Sequence, residues 1–259
     1  MTHNNLLRTL MGVLLTLAAL FGLTACDGVA APGELGENQQ LLTTCPADLK
    51  INRIVHWDGT GSGRSPEIDE ERLDIIEQLA RETAVCGGHL TVTGYSSSSG
   101  ATVTIYDGRL ALPGATDNAR LRRVPEAVET IMSEISSSYE QALASLPAGG
   151  SDISGMWRLA AEQQAQLGAG YQLRYVNLTD GLDNIGVALT PGLTPEQAIE
   201  LADQVNVPDL TGAEVTIAGL GRVAGDPVSS SVAESLVAFY DRLCERTGAA
   251  SCLAVTDWR

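Results

Sequence analysis

The feature that most limits how this chain can fold is its alternation of short β-type runs with amphipathic helical runs. Ile51, Ile54 and Val55 lead into Trp57-Asp58 and a glycine-rich turn, the pattern of a buried strand. Pro66, the acids Glu67, Asp69, Glu70 and Glu71, and the apolar series Ile68, Leu73, Ile76 and Leu79-Ala80 predict a helix over about 66–84, ended by Cys86-Gly87-Gly88. Strands follow over about 89–95 and 101–106. The Ser-Gly link between them is too short for a crossover and forces antiparallel pairing. A long helix over about 119–146 carries Val124, Val128, Ile131, Ile135, Ala142 and Leu143 on one face. Beyond it the pattern predicts helix 153–167, strand 171–178, helix 194–205, strand 214–220, helix 229–246 and strand 252–256. Such alternation with a single hairpin reads as a doubly wound α/β sheet, mainly parallel with one antiparallel edge strand.

The N-terminus has a different logic. Residues 1–25 hold Arg8, an apolar run from Leu10 to Leu23, and Leu23-Thr24-Ala25 just before Cys26. The run is short for a membrane span, and its ending resembles the bacterial lipobox, at which the cysteine is acylated and becomes the new N-terminus. Two acyl chains anchor stably where one does not. The expectation is a lipoprotein held at the extracytoplasmic face of a cell membrane by Cys26. Residues 26–44, with Pro32, several glycines and Asn-Gln-Gln, read as lipid anchor and flexible spacer, leaving 45–259 as the folded domain.

The chain carries 16 Lys+Arg against 32 Asp+Glu, a formal charge of −16, and loss of Arg8 with the leader leaves −17. A nucleic-acid partner needs clustered cations and is excluded on that ground. With Cys26 assigned to lipid, Cys45, Cys86, Cys244 and Cys252 remain. An even number in an exported domain predicts two disulfides, with three pairings open.

In an open α/β sheet, ligands bind beyond the carboxyl ends of the strands, where the strand order reverses. Three oxygen-rich segments fall on such ends: Asp58-Gly59-Thr60-Gly61-Ser62, Gly149-Gly150-Ser151-Asp152 and Leu178-Thr179-Asp180-Gly181. Two carboxylates and several neutral hydroxyls suit a magnesium ion that keeps some water better than a calcium cage. This set resembles the metal-ion-dependent adhesion site of von Willebrand factor A domains, and the resemblance covers roughly residues 48–257.

The resemblance implies that Thr60, Ser62 and Ser151 are ligands, directly or through water, with Asp58 and Asp180 as the acidic members. It also implies Mg²⁺, with Mn²⁺ as substitute, and a protein or peptide partner whose acidic side chain completes the coordination. Thr60 stands where the family commonly has serine, and Ser151 where it commonly has threonine; both keep the hydroxyl. Trp57 and Arg222 are candidates for the ligand face, although an aromatic on a central strand more often belongs to the core. In this topology Cys45 pairs with Cys86 and Cys244 with Cys252, at the end of the sheet opposite the metal edge.

Other chemistries fit less well. His56 occupies the position where an aspartyl-phosphate enzyme needs its nucleophile. Gly59 to Arg64 has no Lys-Ser/Thr ending for a phosphate loop. The three histidines do not cluster. The expected function is therefore binding rather than catalysis, with a structural or regulatory subunit of a cell-envelope complex, its metal site inert, as the alternative.

Overall fold

The computed structural model describes residues 33–190 and 192–258. The leader, Cys26 and the first part of the expected spacer lie outside the described residues. Six strands are described: β1 (Lys50–Asp58), β2 (Gly88–Tyr95), β3 (Thr102–Leu110), β4 (Tyr171–Leu178), β5 (Glu214–Ala218) and β6 (Ser251–Val255). They form one sheet in the order β3-β2-β1-β4-β5-β6. Only the β2–β3 pair is antiparallel. The doubly wound sheet with one antiparallel edge strand is therefore as the periodicity predicts. From β1 the chain first winds toward β3 and then, from β4 on, toward β6, so the reversal falls between β1 and β4.

The described helices are α1 (Glu34–Leu42), α2 (Pro66–Cys86), α3 (Asp117–Leu121), α4 (Val124–Ala144), α5 (Ile153–Leu167), α6 (Pro195–Ala202) and α7 (Ser230–Glu245). They bury both faces of the sheet. Val55, Trp57, Val92 and Val176 pack with Ile76 and Leu79 of α2 and Ile131 and Ile135 of α4. Ile54, Tyr175 and Ile217 pack with Trp157 of α5 and Phe239 of α7 on the other side. Strands buried on both faces explain why β1 reads as a nearly continuous apolar run.

Two expectations are corrected. The spacer is not flexible throughout, because Glu34–Leu42 is helical: Leu35, Leu41 and Leu42 pack on the α2/α4 side of the core. Asn38 is buried and its amide donates to the Leu121 carbonyl. The predicted helix over 119–146 is two helices. Pro125 has no N–H and would clash with the carbonyl four residues back, so α3 ends at Leu121 and α4 restarts with Pro125 in its first turn.

Both bridges pair as the topology implies: Cys45–Cys86, with Cα atoms 5.3 Å apart, and Cys244–Cys252, with Cα atoms 5.9 Å apart. Each ties the end of a helix to the start of a strand, Cys252 within β6 and Cys45 just ahead of β1, on the amino side of the sheet. Among the described residues no helix is long and apolar enough to cross a membrane.

Candidate functional site

Asp58 closes β1 at the point where the strand order reverses, and its side chain is wholly buried. Its Oδ1 accepts from the Thr60 N–H at 3.0 Å and the Thr60 hydroxyl at 2.7 Å. Its Oδ2 accepts from the Ser151 hydroxyl at 3.1 Å and the Thr179 hydroxyl at 2.7 Å. One carboxylate thus orients three hydroxyls, and a hydroxyl that donates its proton this way keeps lone pairs for another partner. Gly149 and Gly150, at φ 85° and 81°, take the left-handed backbone that delivers Ser151 to this point. Asp152 then caps α5 by accepting from the Gly155 N–H at 2.8 Å.

Asp180 follows β4 and is equally buried. Its Oδ1 accepts from the Leu182 N–H at 2.9 Å, while its Oδ2 has no hydrogen-bond partner among the described residues. Burial raises its pKa, and the Asp58 charge raises it further. Arg72 and the Leu182 N–H pull the other way, as does the Ser62 hydroxyl, which approaches Asp180 without closing a bond on Oδ2. Ser62 is exposed, on the short 3-10 turn Gly61–Gly63.

Gly63 of that turn marks a space the sequence keeps clear. A Cβ built on it would lie 3.6 Å from Asp180 Oδ2, 3.7 Å from Asp58 Cγ and 3.4 Å from Arg72 Nη2. Two buried carboxylates, one with an unpartnered oxygen, therefore face a gap free of side chain and flanked by hydroxyls. That donor set fits a hard divalent cation. Among the described residues, neither here nor elsewhere do three His, Cys, Asp or Glu side chains gather as they would around a metal, so an ion at this edge would lean on the hydroxyls.

The structure brings Asp58, Thr60, Ser62, Ser151 and Asp180 to one edge of the sheet. It keeps Trp57 away from any ligand face, and it holds Arg222, in a loop bonded to the Ser62 turn, in two ion pairs. Trp57 is fully buried on the α4 side and stacks on Tyr139 with ring centroids 5.2 Å apart, because residues of a strand alternate between faces and Asp58 takes the other one. Arg222 bridges Glu71 of α2 and, at 3.0 Å, Asp257 beyond β6, so its charge is committed.

Sequence reasoning missed three residues. Thr179 lies within a quoted motif, but its bond to Asp58 depends on β4 lying beside β1. Arg72 is buried and donates from Nη1 to the Asp58 carbonyl at 2.9 Å. Its signal was an arginine on the stripe Ile68, Arg72, Ile75, Ile76, Leu79 that faces the core. Asp183 is wholly buried and accepts from the Ser154 N–H at 3.0 Å, the Ser154 hydroxyl at 2.6 Å and the Ile185 N–H at 3.1 Å. Burial nevertheless lifts its pKa to about 6.

His56, also buried, contacts the Tyr175 hydroxyl through Nδ1 and the Gln163 side chain through Nε2. Burial lowers its pKa to about 3, so it stays neutral inside the core.

No protein-family model and no curated protein matches this chain. Among solved structures it is similar to the conserved hypothetical protein BatB of Bacteroides thetaiotaomicron, at 13% identity over 80% of this chain and 91% of that one, with a TM-score of 0.43. It is also similar to proximal thread matrix protein 1 of the mussel byssus, at 17% identity over 81% of this chain and 44% of that one, with a TM-score of 0.43. A third similarity is to the manganese-loaded TRAP protein of Plasmodium vivax, at 14% identity over 73% of this chain and 63% of that one, with a TM-score of 0.36. The chain thus spans less than half of the thread matrix protein. At these identities and TM-scores, the chemistry of the site has to be read from its own residues.

Proposed function

We propose that this protein is a membrane-anchored, extracytoplasmic binding domain of the von Willebrand factor A type, which captures a protein or peptide partner through a divalent cation at the Asp58–Asp180 edge. The observation that carries the reading is the buried, unpartnered Oδ2 of Asp180, set against a second buried carboxylate and flanked by hydroxyls. Unsatisfied buried carboxylate oxygens are costly in a fold without a counter-charge.

Thr60, Ser62, Ser151 and Asp180 would hold Mg²⁺, or Mn²⁺ in its place, and Asp58 would orient two of the three hydroxyls from behind. Bound there, the ion supplies an open coordination position for an anionic oxygen. An acidic side chain of the partner is the fitting ligand. The same residues offer no general base of suitable geometry, so the reading is binding and not catalysis. Anchoring through Cys26 would keep the site outside the cell.

Calorimetric titration of Mg²⁺ into the protein, beside Asp58→Ala, tests this. One saturable site in the wild type, lost in a variant that still folds, is the expected result. A folded wild type that takes up no Mg²⁺ refutes it and favours the inert subunit of an envelope complex. That alternative calls for a contiguous apolar contact face, and the exposed large apolar side chains Leu49, Ile185, Ile199 and Leu253 lie on separate segments.

A further inference from the structure

We infer that Arg72 strengthens this site's hold on a carboxylate, by leaving it one positive charge in excess once a divalent cation is bound. This rests on the metal reading above. Asp58 and Asp180 alone would neutralise a dication, and a neutral site attracts a carboxylate only weakly. Arg72 changes that balance. Arg72 is 4% exposed; its guanidinium is held by the Asp58 carbonyl at 2.9 Å and stands 3.4 Å from where a Gly63 Cβ would lie, in the gap that both carboxylates face.

The charged groups facing Arg72 are Asp58, Asp69 and Asp180. Asp69 is already paired with Arg64 at 2.8 Å, and that pair cancels itself. The remaining three side chains sum to a single negative charge. A dication turns this into a single positive one, which one carboxylate neutralises. A neutral ligand would leave the charge uncompensated in a largely buried setting, and a dianion would overshoot it. The arginine comes from α2, behind the gap, so it acts through the field and does not touch the ligand.

The role predicts two changes of opposite sign. Removing the charge in Arg72→Gln relieves repulsion of the dication, and Mg²⁺ affinity in chloride buffer rises about tenfold. Acetate serves as the carboxylate probe: in the wild type, acetate buffer strengthens apparent Mg²⁺ binding by linkage, and in R72Q that gain falls about tenfold. Arg72→Lys keeps the charge and behaves as the wild type in both buffers. Arg72→Met removes the same charge with an unbranched apolar side chain, and gives the same pair of shifts even if R72Q does not fold.

Calorimetry of the four proteins in the two buffers, with thermal melts in chelator to establish folding, decides the matter. Weaker Mg²⁺ binding in folded R72Q or R72M, an acetate gain unchanged in them, or failure of both to fold overturns the inference and leaves Arg72 a structural residue. A wild type that binds Mg²⁺ without any acetate gain overturns it as well, with the metal site intact. A wild type that binds no Mg²⁺ in either buffer overturns the metal reading and this inference with it.

Discussion

Asp183→Asn should abolish one loss of stability that the wild type suffers as pH rises from acid toward neutral. In the folded protein the Asp183 pKa rises from 3.8 to about 6, first because the side chain is buried and only then because of Asp152; the donors on Ser154 and Ile185 pull it down but do not prevail. A carboxyl whose folded pKa is raised is bound to its proton more tightly in the fold than in the unfolded chain. Its contribution is therefore intact at low pH and is lost as pH climbs through the window from 3.8 to about 6. At about 1.4 kcal/mol per pH unit, the loss comes to about 3 kcal/mol. Asparagine is close in shape. It keeps one carbonyl oxygen, for the Ser154 donors or for the Ile185 N–H but not for both, and it does not titrate, so its own cost is much the same at both ends of the window.

Urea unfolding of both proteins in chelator, at intervals from about pH 4 to about pH 7, measures the difference. The D183N stability relative to wild type should move by about 2.4 kcal/mol in the variant's favour across that range, the rest of the change falling below about pH 4. The neighbouring Asp180, also raised by burial, is common to both proteins and cancels. Two parallel pH profiles would refute the reasoning, because Asp183 would then titrate alike in the folded and unfolded states.

Two further outcomes follow from the sheet's amino side. Replacing both cysteines by serine should cost about 4 kcal/mol for Cys45–Cys86 and about 2.5 kcal/mol for Cys244–Cys252, since the loops they close differ in length, 41 against 8 residues of separation; equal denaturation midpoints for the two double mutants would count against the chain-entropy account. Gly88→Ala should cost more than about 2 kcal/mol in the same assay, because its Cβ would stand 2.1 Å from the Ile51 carbonyl of the paired strand, whereas Gly170→Ala, with open space around it, should cost little.

What the sequence determined alone was the order of elements and the chain positions at which polar groups meet. Period-2 and period-3.6 patterning is local, and so are the turn glycines, so β1, α5 and β4 could be placed to within a residue or two. The three oxygen-bearing segments could then be assigned to one edge of the sheet. The paired cysteines followed from the same topology. Pro125 was also legible as the break between α3 and α4, but the apolar stripe running through it hid the signal.

Tertiary structure alone decided which side chains share a space. The Glu34–Leu42 helix has too few apolar residues to announce itself, and it forms because the α2/α4 surface accepts Leu35, Leu41 and Leu42. Trp57 belongs to the core and Arg222 to an ion-pair bridge because of what lies opposite each of them, on α4 and α2. Thr179, Arg72 and Asp183 join the site, or its support, through contacts with residues far away in sequence or buried by them. A side chain's charge, proton affinity and free lone pairs depend on neighbours that only packing brings within a few ångströms, and no local period encodes those neighbours.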